Sequence, residues 1–188
     1  MLGVRDTLLT ASLLLGLIAA PVSQARAQWI SHVHGPDVFG NTTVTAAAIS
    51  STGNGLVVQC DAKNTLDVAF LVPATEAELS QLAQSIPAEL LVKVDTGPVK
   101  KFAAQITQWN NKFMGIVAKG RTPALVALVR AIGAATATVD VGVDIFGQQQ
   151  SDSFGALGST ASIAVVIKNC ALDKIVAPSP KGGNPPTQ

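Results

Sequence analysis

Apolar and polar residues alternate along most of this chain in short runs, and these runs predict a protein built mainly from β-strands. Runs of about four to eight apolar or β-branched residues between turn residues are typical of strands. They predict strands at residues 43–49, 56–60, 65–72, 89–95, 100–109, 112–118 and 136–146. In the last run Val139, Val141 and Val143 form one face. Asp140 and Asp144 lie on the other, as expected for an antiparallel strand with one solvated face.

Two segments have clear helix signals. Residues 75–85 begin with Thr75, and Glu78 follows three positions later, which is the spacing of a capping box. Residues 122–133 begin with a capping threonine and a proline at the first helical position. Their apolar residues recur at helical spacing and predict one buried face, formed by Leu125, Leu128, Val129 and Ile132.

A third segment, residues 159–170, is compatible with two structures. Its β-branched residues suit a strand, but Ile163, Val166 and Cys170 fall on one helical face. Ser159 follows Gly158 and is a suitable capping residue. We therefore favour a helix over a strand here.

Together these elements predict an α+β fold: an antiparallel, meander-like sheet with two or three helices packed on it. Residues 28–42 are polar and turn-rich and predict an extended leader, followed by one globular domain over residues 43–176. Residues 177–188 are rich in proline and glycine and predict a disordered tail.

The N-terminus has the pattern of a cleavable export signal. An apolar run at residues 7–20 is followed by Ala25-Arg26-Ala27, with small residues at the two positions that a signal peptidase recognises. The run is too short and interrupted to span a membrane, which takes about 20 apolar residues. We expect residues 1–27 to be removed and a periplasmic or secreted protein without a membrane span to begin at Gln28.

The chain has two cysteines, Cys60 and Cys170. Thiols pair in the oxidising compartments to which exported proteins go. If the last helix packs on the sheet, Cys170 can meet Cys60 in the second predicted strand. A sheet-to-helix disulfide is therefore predicted, and two buried free thiols are the alternative.

Composition argues against two classes of partner. Aromatic residues make up 4% of the chain and tyrosine is absent, whereas nucleic-acid surfaces commonly use aromatic platforms. The formal charge of +1 (13 basic and 12 acidic residues) becomes zero, 11 against 11, without Arg5, Asp6 and Arg26. Net charge therefore predicts no strong attraction to nucleic acid or to a membrane surface.

A weak metal-site candidate lies near the expected mature N-terminus. His32 and His34 point the same way in an extended segment, and Asp37 follows them. These three are candidate ligands, but solvated histidines are the simpler interpretation. We expect no cofactor.

Catalytic patterns are not evident. The chain has neither a Gly-x-Ser-x-Gly nor a Ser-x-x-Lys motif. Asp140 and Asp144 share a strand face, but four strand residues separate carboxylates by about 13 Å, beyond the ~5–9.5 Å of glycoside hydrolases. Asp67 or Asp95 is a conceivable partner for either of them. We expect a protein that is not an enzyme.

Basic residues concentrate between positions 93 and 121. Lys93, Lys100, Lys101 and Lys112 are candidates for a patch that binds an anionic partner. Lysines on an exposed hairpin also keep edge strands from pairing with other chains. We regard this protective role as the alternative.

The order of features resembles the TagO/VasI-like group of small exported bacterial proteins, which is associated with type VI secretion. The residues that carry the resemblance are Trp29, Leu56–Cys60, Asp67–Phe70, Val92–Gly97, Trp109, Phe154–Gly158 and Cys170. The resemblance implies a periplasmic domain with a disulfide between the sheet and the C-terminal helix, and it implies no catalytic residues.

The sequence therefore predicts an exported periplasmic accessory protein that binds an envelope or secretion-system protein. A small-ligand or metal-binding protein is the first alternative, and a cell-wall-active enzyme is the second. The pattern does not predict an oligomeric state.

Overall fold

A computed structural model describes residues 28–82, 85–145 and 148–175. The predicted signal at residues 1–27 and the tail at residues 177–188 lie outside the described residues. The strands are β1 (Ile30–His34), β2 (Thr43–Ile49), β3 (Gly55–Cys60), β4 (Leu66–Pro73), β5 (Ile86–Val94), β6 (Lys100–Gln108), β7 (Phe113–Lys119), β8 (Thr138–Ile145) and β9 (Gln148–Gly155). The helices are α1 (Glu76–Ser80), α2 (Pro123–Gly133) and α3 (Ser159–Asn169), and a 3-10 turn follows at Leu172–Lys174.

The nine strands form one antiparallel sheet in the order β1-β2-β3-β4-β7-β6-β5-β8-β9. The predicted α+β class, with an antiparallel sheet and helices packed on it, is confirmed. Strands β1 to β4 are neighbours in chain order, as in a meander, whereas β5, β6 and β7 follow in reverse order. As a result, β7 pairs with β4 and β5 pairs with β8. The α1 segment connects β4 to β5 and allows this reversal.

One face of the curled sheet, the inner face, packs against α2 and α3 and contains the main core. Every second strand residue points to this face, which explains why Val139, Val141 and Val143 are all nearly inaccessible. The rings of Phe70 and Phe154 meet edge to face inside, with centroids 6.3 Å apart. The predicted apolar stripe of α2 is buried in the same core.

The curl brings the two ends of the sheet together. The backbone N–H of Trp29, just before β1, donates to the carbonyl of Leu157, just after β9, at 2.9 Å. The indole N–H of Trp29 donates to the carbonyl of Gly155 at 3.0 Å. Because Trp29 is only 3% exposed, its ring belongs to the core and anchors the first strand.

A second junction lies at Asp152 of β9. Its Oδ2 accepts hydrogen bonds from the side chains of Ser50, Thr52 and Asn54, all in the β2–β3 turn. Burial raises the pKa of Asp152, and these three hydrogen bonds outweigh that effect and hold the pKa below its ordinary value. The carboxylate thus ties β9 to the opposite end of the sheet.

The predicted disulfide is confirmed: Cys60 in β3 is bonded to Cys170 after α3, with Cα atoms 6.1 Å apart. Two arginines hold the segment that follows. Arg121 donates to the carbonyl of Cys170 at 2.7 Å, and Arg130 donates to that of Leu172 at 2.8 Å. The C-terminal part of the described chain is therefore fixed to the core by covalent and polar contacts.

Several predicted elements differ from the structure in their bounds. The capping box of Thr75 and Glu78 is present, but α1 ends at Ser80. Residues 83–84 of the predicted helix lie outside the described residues. The strand predicted at 89–95 begins at Ile86 and ends at Val94.

The segment at residues 159–170 is a helix, as favoured, but its cap differs from the prediction. The N-cap is Gly158, with φ 84°, and no side chain caps the helix. An added Cβ at Gly158 would lie 2.9 Å from the carbonyl oxygen of Trp29. The close approach of the Trp29 backbone thus requires glycine, and Ser159 lies inside the helix.

Two strands were not predicted. Strand β1 lies in the segment expected to be an extended leader, and all five of its residues are exposed, so burial imposes no alternation on its sequence. Strand β9 is rich in glutamine and serine. Phe154 is the large residue of β9 that is fully buried. One apolar residue is not enough to predict a strand from the sequence.

Candidate functional site

The most unusual surface of the described residues is the β1–β2 hairpin, residues 30–49. Seven large hydrophobic side chains are exposed in the part of the chain that the structure describes, and four of them lie within residues 30–39. These four are Ile30 (65% exposed), Val33 (41%), Val38 (93%) and Phe39 (85%). Exposed apolar groups are ordinary when scattered, but their concentration on one element marks a candidate interaction site.

The tip of this hairpin is held in one shape by Asp37. Its Oδ1 accepts from the backbone N–H groups of Phe39 and Asn41, both at 2.8 Å, and its Oδ2 accepts from the Asn41 side chain at 3.1 Å. The Asn41 backbone bond is the main cause that lowers the pKa of Asp37, and desolvation opposes it. The carboxylate therefore orders the turn from which Val38 and Phe39 project.

Gly35 is required at the base of the tip. Its φ is +115°, and a Cβ there would collide with the carbonyl oxygen of Asn41. Only glycine allows the two arms of the hairpin to approach so closely. The tip is thus specified by backbone geometry as well as by the Asp37 hydrogen bonds.

Strand β1 is the first strand of the sheet, and among the described strands it pairs with β2 alone. Its sequence, ISHVH, has neither the lysine nor the proline that commonly protects such edges from further pairing. From Gln28 to Cys60, Asp37 is the only Asp, Glu, Lys or Arg. This end of the sheet is therefore open, weakly charged and partly apolar.

The outer face of the sheet, opposite the helices, continues this apolar surface inward. Cross-strand pairing aligns one row of side chains over five strands, comprising Ile30, Ala47, Val57, Ala69 and Val117. Val57, Ala69 and Val117 are buried in a small outer cluster, against which Trp109 and Phe113 pack. The row is thus covered at its centre and exposed at Ile30 on the edge.

The predicted metal ligands lie at this same hairpin. The rings of His32 and His34 have centroids 6.3 Å apart, and β2 pairs them with Thr45 and Thr43. The Asp37 carboxylate is engaged by its own turn. Within the described residues no group of three or more His, Cys, Asp or Glu side chains is placed to hold a metal ion.

The predicted carboxylates Asp140, Asp95 and Asp67 each have their own partners. Asp140 contacts Lys93 at 3.4 Å and accepts from Ser153 at 2.7 Å. Asp95, in a turn after β5, accepts from the backbone of residues 136–138, chiefly that of Thr136, which lowers its pKa to about 2. Asp67 lies in β4, several strands away.

Sequence reasoning missed one pair of carboxylates. Cross-strand pairing places Glu89 directly opposite Asp144, where Cβ atoms are typically about 4.5–5.5 Å apart. Gln149 donates to Asp144 at 3.3 Å, and Lys101 contacts Glu89 at 3.3 Å. The pairing of β5 with β8 brings them together, and no local spacing in the sequence signals it. Both lie on the open outer face in a row of compensating charges.

The four predicted lysines do not form one patch. Lys93 and Lys101 lie on the outer face, where each contacts a carboxylate. Lys100 is the first residue of β6 and pairs across the sheet with the buried Val92, so it lies on the inner-face side. Lys112 lies beyond the other end of β6, and at ~3.3 Å per residue this strand is about 26 Å long.

The fold and this surface define a class: a disulfide-bonded α+β domain with a curled antiparallel sheet and an open, apolar edge hairpin. Comparison with protein-family models, with curated proteins and with solved structures finds no match in any of the three. No helix among the described residues is long and apolar enough to cross a membrane.

Proposed function

We propose that this protein is an exported interaction module that binds a partner protein of the cell envelope through its β1–β2 hairpin. The observation that carries the proposal is the concentration of exposed large apolar side chains on residues 30–39, four of the seven among the described residues. Burying such a side chain contributes about 1.5–3 kcal/mol. Val38 and Phe39 together therefore supply enough free energy for a specific contact.

The hairpin offers two modes of contact at once. A partner strand can pair with the open edge of β1, which gives affinity through main-chain hydrogen bonds. The tip can insert its two apolar side chains into a partner pocket, and because Asp37 already orders the tip, little conformational entropy is lost on binding. The weak charge of this end of the molecule favours a partner surface that is also weakly charged.

Export is part of the same proposal. It is supported by the apolar run at residues 7–20, by the small-residue site at Ala25-Arg26-Ala27 and by the Cys60–Cys170 disulfide. The partner would then be a periplasmic or secretion-system protein, in line with the resemblance to the TagO/VasI-like group.

Site-specific crosslinking in living cells tests the proposal. A photo-reactive amino acid at position 39, in the tip, is expected to give one discrete crosslinked species. The same group at Val99, an exposed apolar position (55%) in the β5–β6 turn, serves as the matched control. Equal crosslinking from both positions, or none from position 39, would refute binding through the hairpin.

Affinity is the second readout. With the captured partner purified, Phe39→Ser is expected to weaken binding at least about tenfold, which corresponds to 1.4 kcal/mol. Val99→Ser should leave the affinity unchanged, and both variants should melt like the parent because both side chains are exposed. A Phe39→Ser protein that binds as tightly as the parent would exclude the tip as an anchor.

A further inference from the structure

An apolar groove separates α2 from the turn between β5 and β6. Its volume is about 260 Å³, slightly below the ~300–1,000 Å³ typical of ligand pockets. The residues that form its walls and rim include Val92, Val94, Pro98, Lys100, Leu128 and Ala131. This groove is far in sequence from the β1–β2 hairpin, and its role is independent of the function proposed for that hairpin.

The groove exists because small residues face the sheet at this end of α2. Ala131 and Ala134 line it from the helix, where a longer side chain would fill the space. Leu128 and Val92 form its floor and are almost completely buried. The walls are therefore apolar and belong to rigid elements, as in sites that bind hydrocarbon groups.

Lys100 is the only charged side chain in the lining. It makes no ion pair or side-chain hydrogen bond with any described residue. Its neighbour Lys101 points to the other face of the sheet and contacts Glu89 at 3.3 Å. A cation at the rim of an apolar groove thus has no counter-ion among the described residues.

The nearest acidic residue in the turn, Asp95, does not neutralise Lys100. Both of its carboxylate oxygens accept hydrogen bonds from residues 136–138, at 2.8–3.1 Å. Asp95 is therefore committed to joining the β5–β6 turn to the start of β8. The charge of Lys100 remains free to pair with a group brought by a ligand.

We propose that this groove binds a medium-chain fatty carboxylate, with the alkyl chain between α2 and β5 and the carboxylate paired with Lys100. Charge complementarity selects an anionic head group, and the apolar lining selects a hydrocarbon tail. The small volume selects a chain of medium length over a phospholipid, whose two acyl chains exceed it.

This proposal is tested by calorimetric titration of the protein with octanoate. The protein is produced by expressing the full-length sequence. Octanoate is expected to bind at least about tenfold more tightly than 1-octanol, which has the same chain without the charge. In Lys100→Gln that preference should disappear, because the alcohol gains nothing from the lysine. In Lys101→Gln, the matched control on the opposite face, the preference should persist.

A second pair of variants tests the groove itself. Ala131→Leu should fill the space and abolish octanoate binding, while the melting temperature stays the same or rises because an apolar cavity is filled. Ala124→Leu, at an exposed position of the same helix, should bind octanoate normally. Equal affinities for octanoate and octanol, equal effects of the two lysine variants, or octanoate binding by folded Ala131→Leu would each overturn the proposal.

Discussion

Asp67 is the only charged side chain that is buried among the described residues, with 6% of its surface exposed. Its Oδ2 lies 3.6 Å from the Lys119 ammonium, and its Oδ1 is inaccessible and has no hydrogen-bond partner. Desolvation is the main cause that raises the pKa of Asp67, and the nearby charge of Lys119 opposes it. The buried carboxylate of Asp67 therefore destabilises the folded state, because only one of its two oxygens has a partner.

The sign of the pH dependence follows from that raised pKa. The folded state holds the proton of Asp67 more tightly than the unfolded chain, so the stability linked to this group is lost as pH rises through its folded pKa. Asp67→Asn should therefore raise the free energy of unfolding at pH 7 by about 1 kcal/mol, since it removes a buried, partly unpaired charge. The gain should vanish below pH 3.8, the ordinary pKa of an aspartate side chain.

Thermal melts of the two proteins between pH 2 and pH 8 measure this difference. Asp95→Asn is the comparison of opposite sign, because the folded pKa of Asp95 is lowered to about 2. That variant should be less stable than the parent at pH 7, and the deficit should shrink as pH falls from 3.8 toward 2. An Asp67→Asn protein that is less stable than the parent at pH 7 would contradict the assignment.

At the scale of elements, the sequence predicted most reliably those segments that have one face in the core. The stripe of α2 and the valines of β8 impose a period because each alternate or helically spaced residue is buried. Strand β1 has five exposed residues and β9 is mostly polar. Neither strand therefore shows an alternation of apolar and polar residues in its sequence. Both are held by contacts distant in sequence, such as Trp29 with Leu157.

The candidate site was missed for the same reason. Val38 and Phe39 are unremarkable as sequence, because an apolar pair next to a glycine is as compatible with burial as with exposure. Only the folded hairpin places them outside the core. The groove at Lys100 is likewise formed by α2 and β5, which are separate in sequence. The disulfide, in contrast, was predictable because the chain has only two cysteines to pair.

Helices α2 and α3 pack closely at Gly133, the last residue of α2. A Cβ at this position would lie 2.9 Å from Cγ2 of Ile163 in α3. Gly133→Ala should therefore lower the free energy of unfolding by about 1 kcal/mol, since overpacking costs about 1–3 kcal/mol. The better helix propensity of alanine offsets at most about 1 kcal/mol of this destabilisation. Urea denaturation measures the change.

Two further variants separate this clash from a general effect of replacing glycine. Gly142→Ala on the outer face of β8 meets no atom nearer than 3.6 Å and should be neutral or slightly stabilising. In an Ile163→Ala background, which removes Cγ2 but keeps the Cβ at 3.2 Å, Gly133→Ala should cost less stability, so the double-mutant cycle should show coupling. Additive effects of the two substitutions would disprove the contact.

At the scale of the whole molecule, three links convert a curled sheet into a closed unit. Trp29 joins the start of β1 to the end of β9, Asp152 joins β9 to the β2–β3 turn, and the disulfide joins β3 to the end of α3. All three span 98 residues or more of sequence. These links leave Val38 and Phe39 of the hairpin tip exposed, as the proposed binding role requires.

The disulfide closes a loop with a sequence separation of 110 residues. In the chain-entropy model a crosslink over about 100 residues restricts the unfolded chain by ~4.7 kcal/mol. Replacing both cysteines with alanine should therefore lower the free energy of unfolding by about 2–5 kcal/mol. Because Arg121 and Arg130 still hold the C-terminal segment through backbone carbonyls, the variant should fold to the same structure.

Denaturation of the parent with and without reductant, beside the double variant, measures the effect. Reduction should destabilise the parent to the level of the variant and leave the variant unchanged. A parent whose melting is insensitive to reductant while its thiols become titratable would mean that the noncovalent links alone hold the two ends of the chain together.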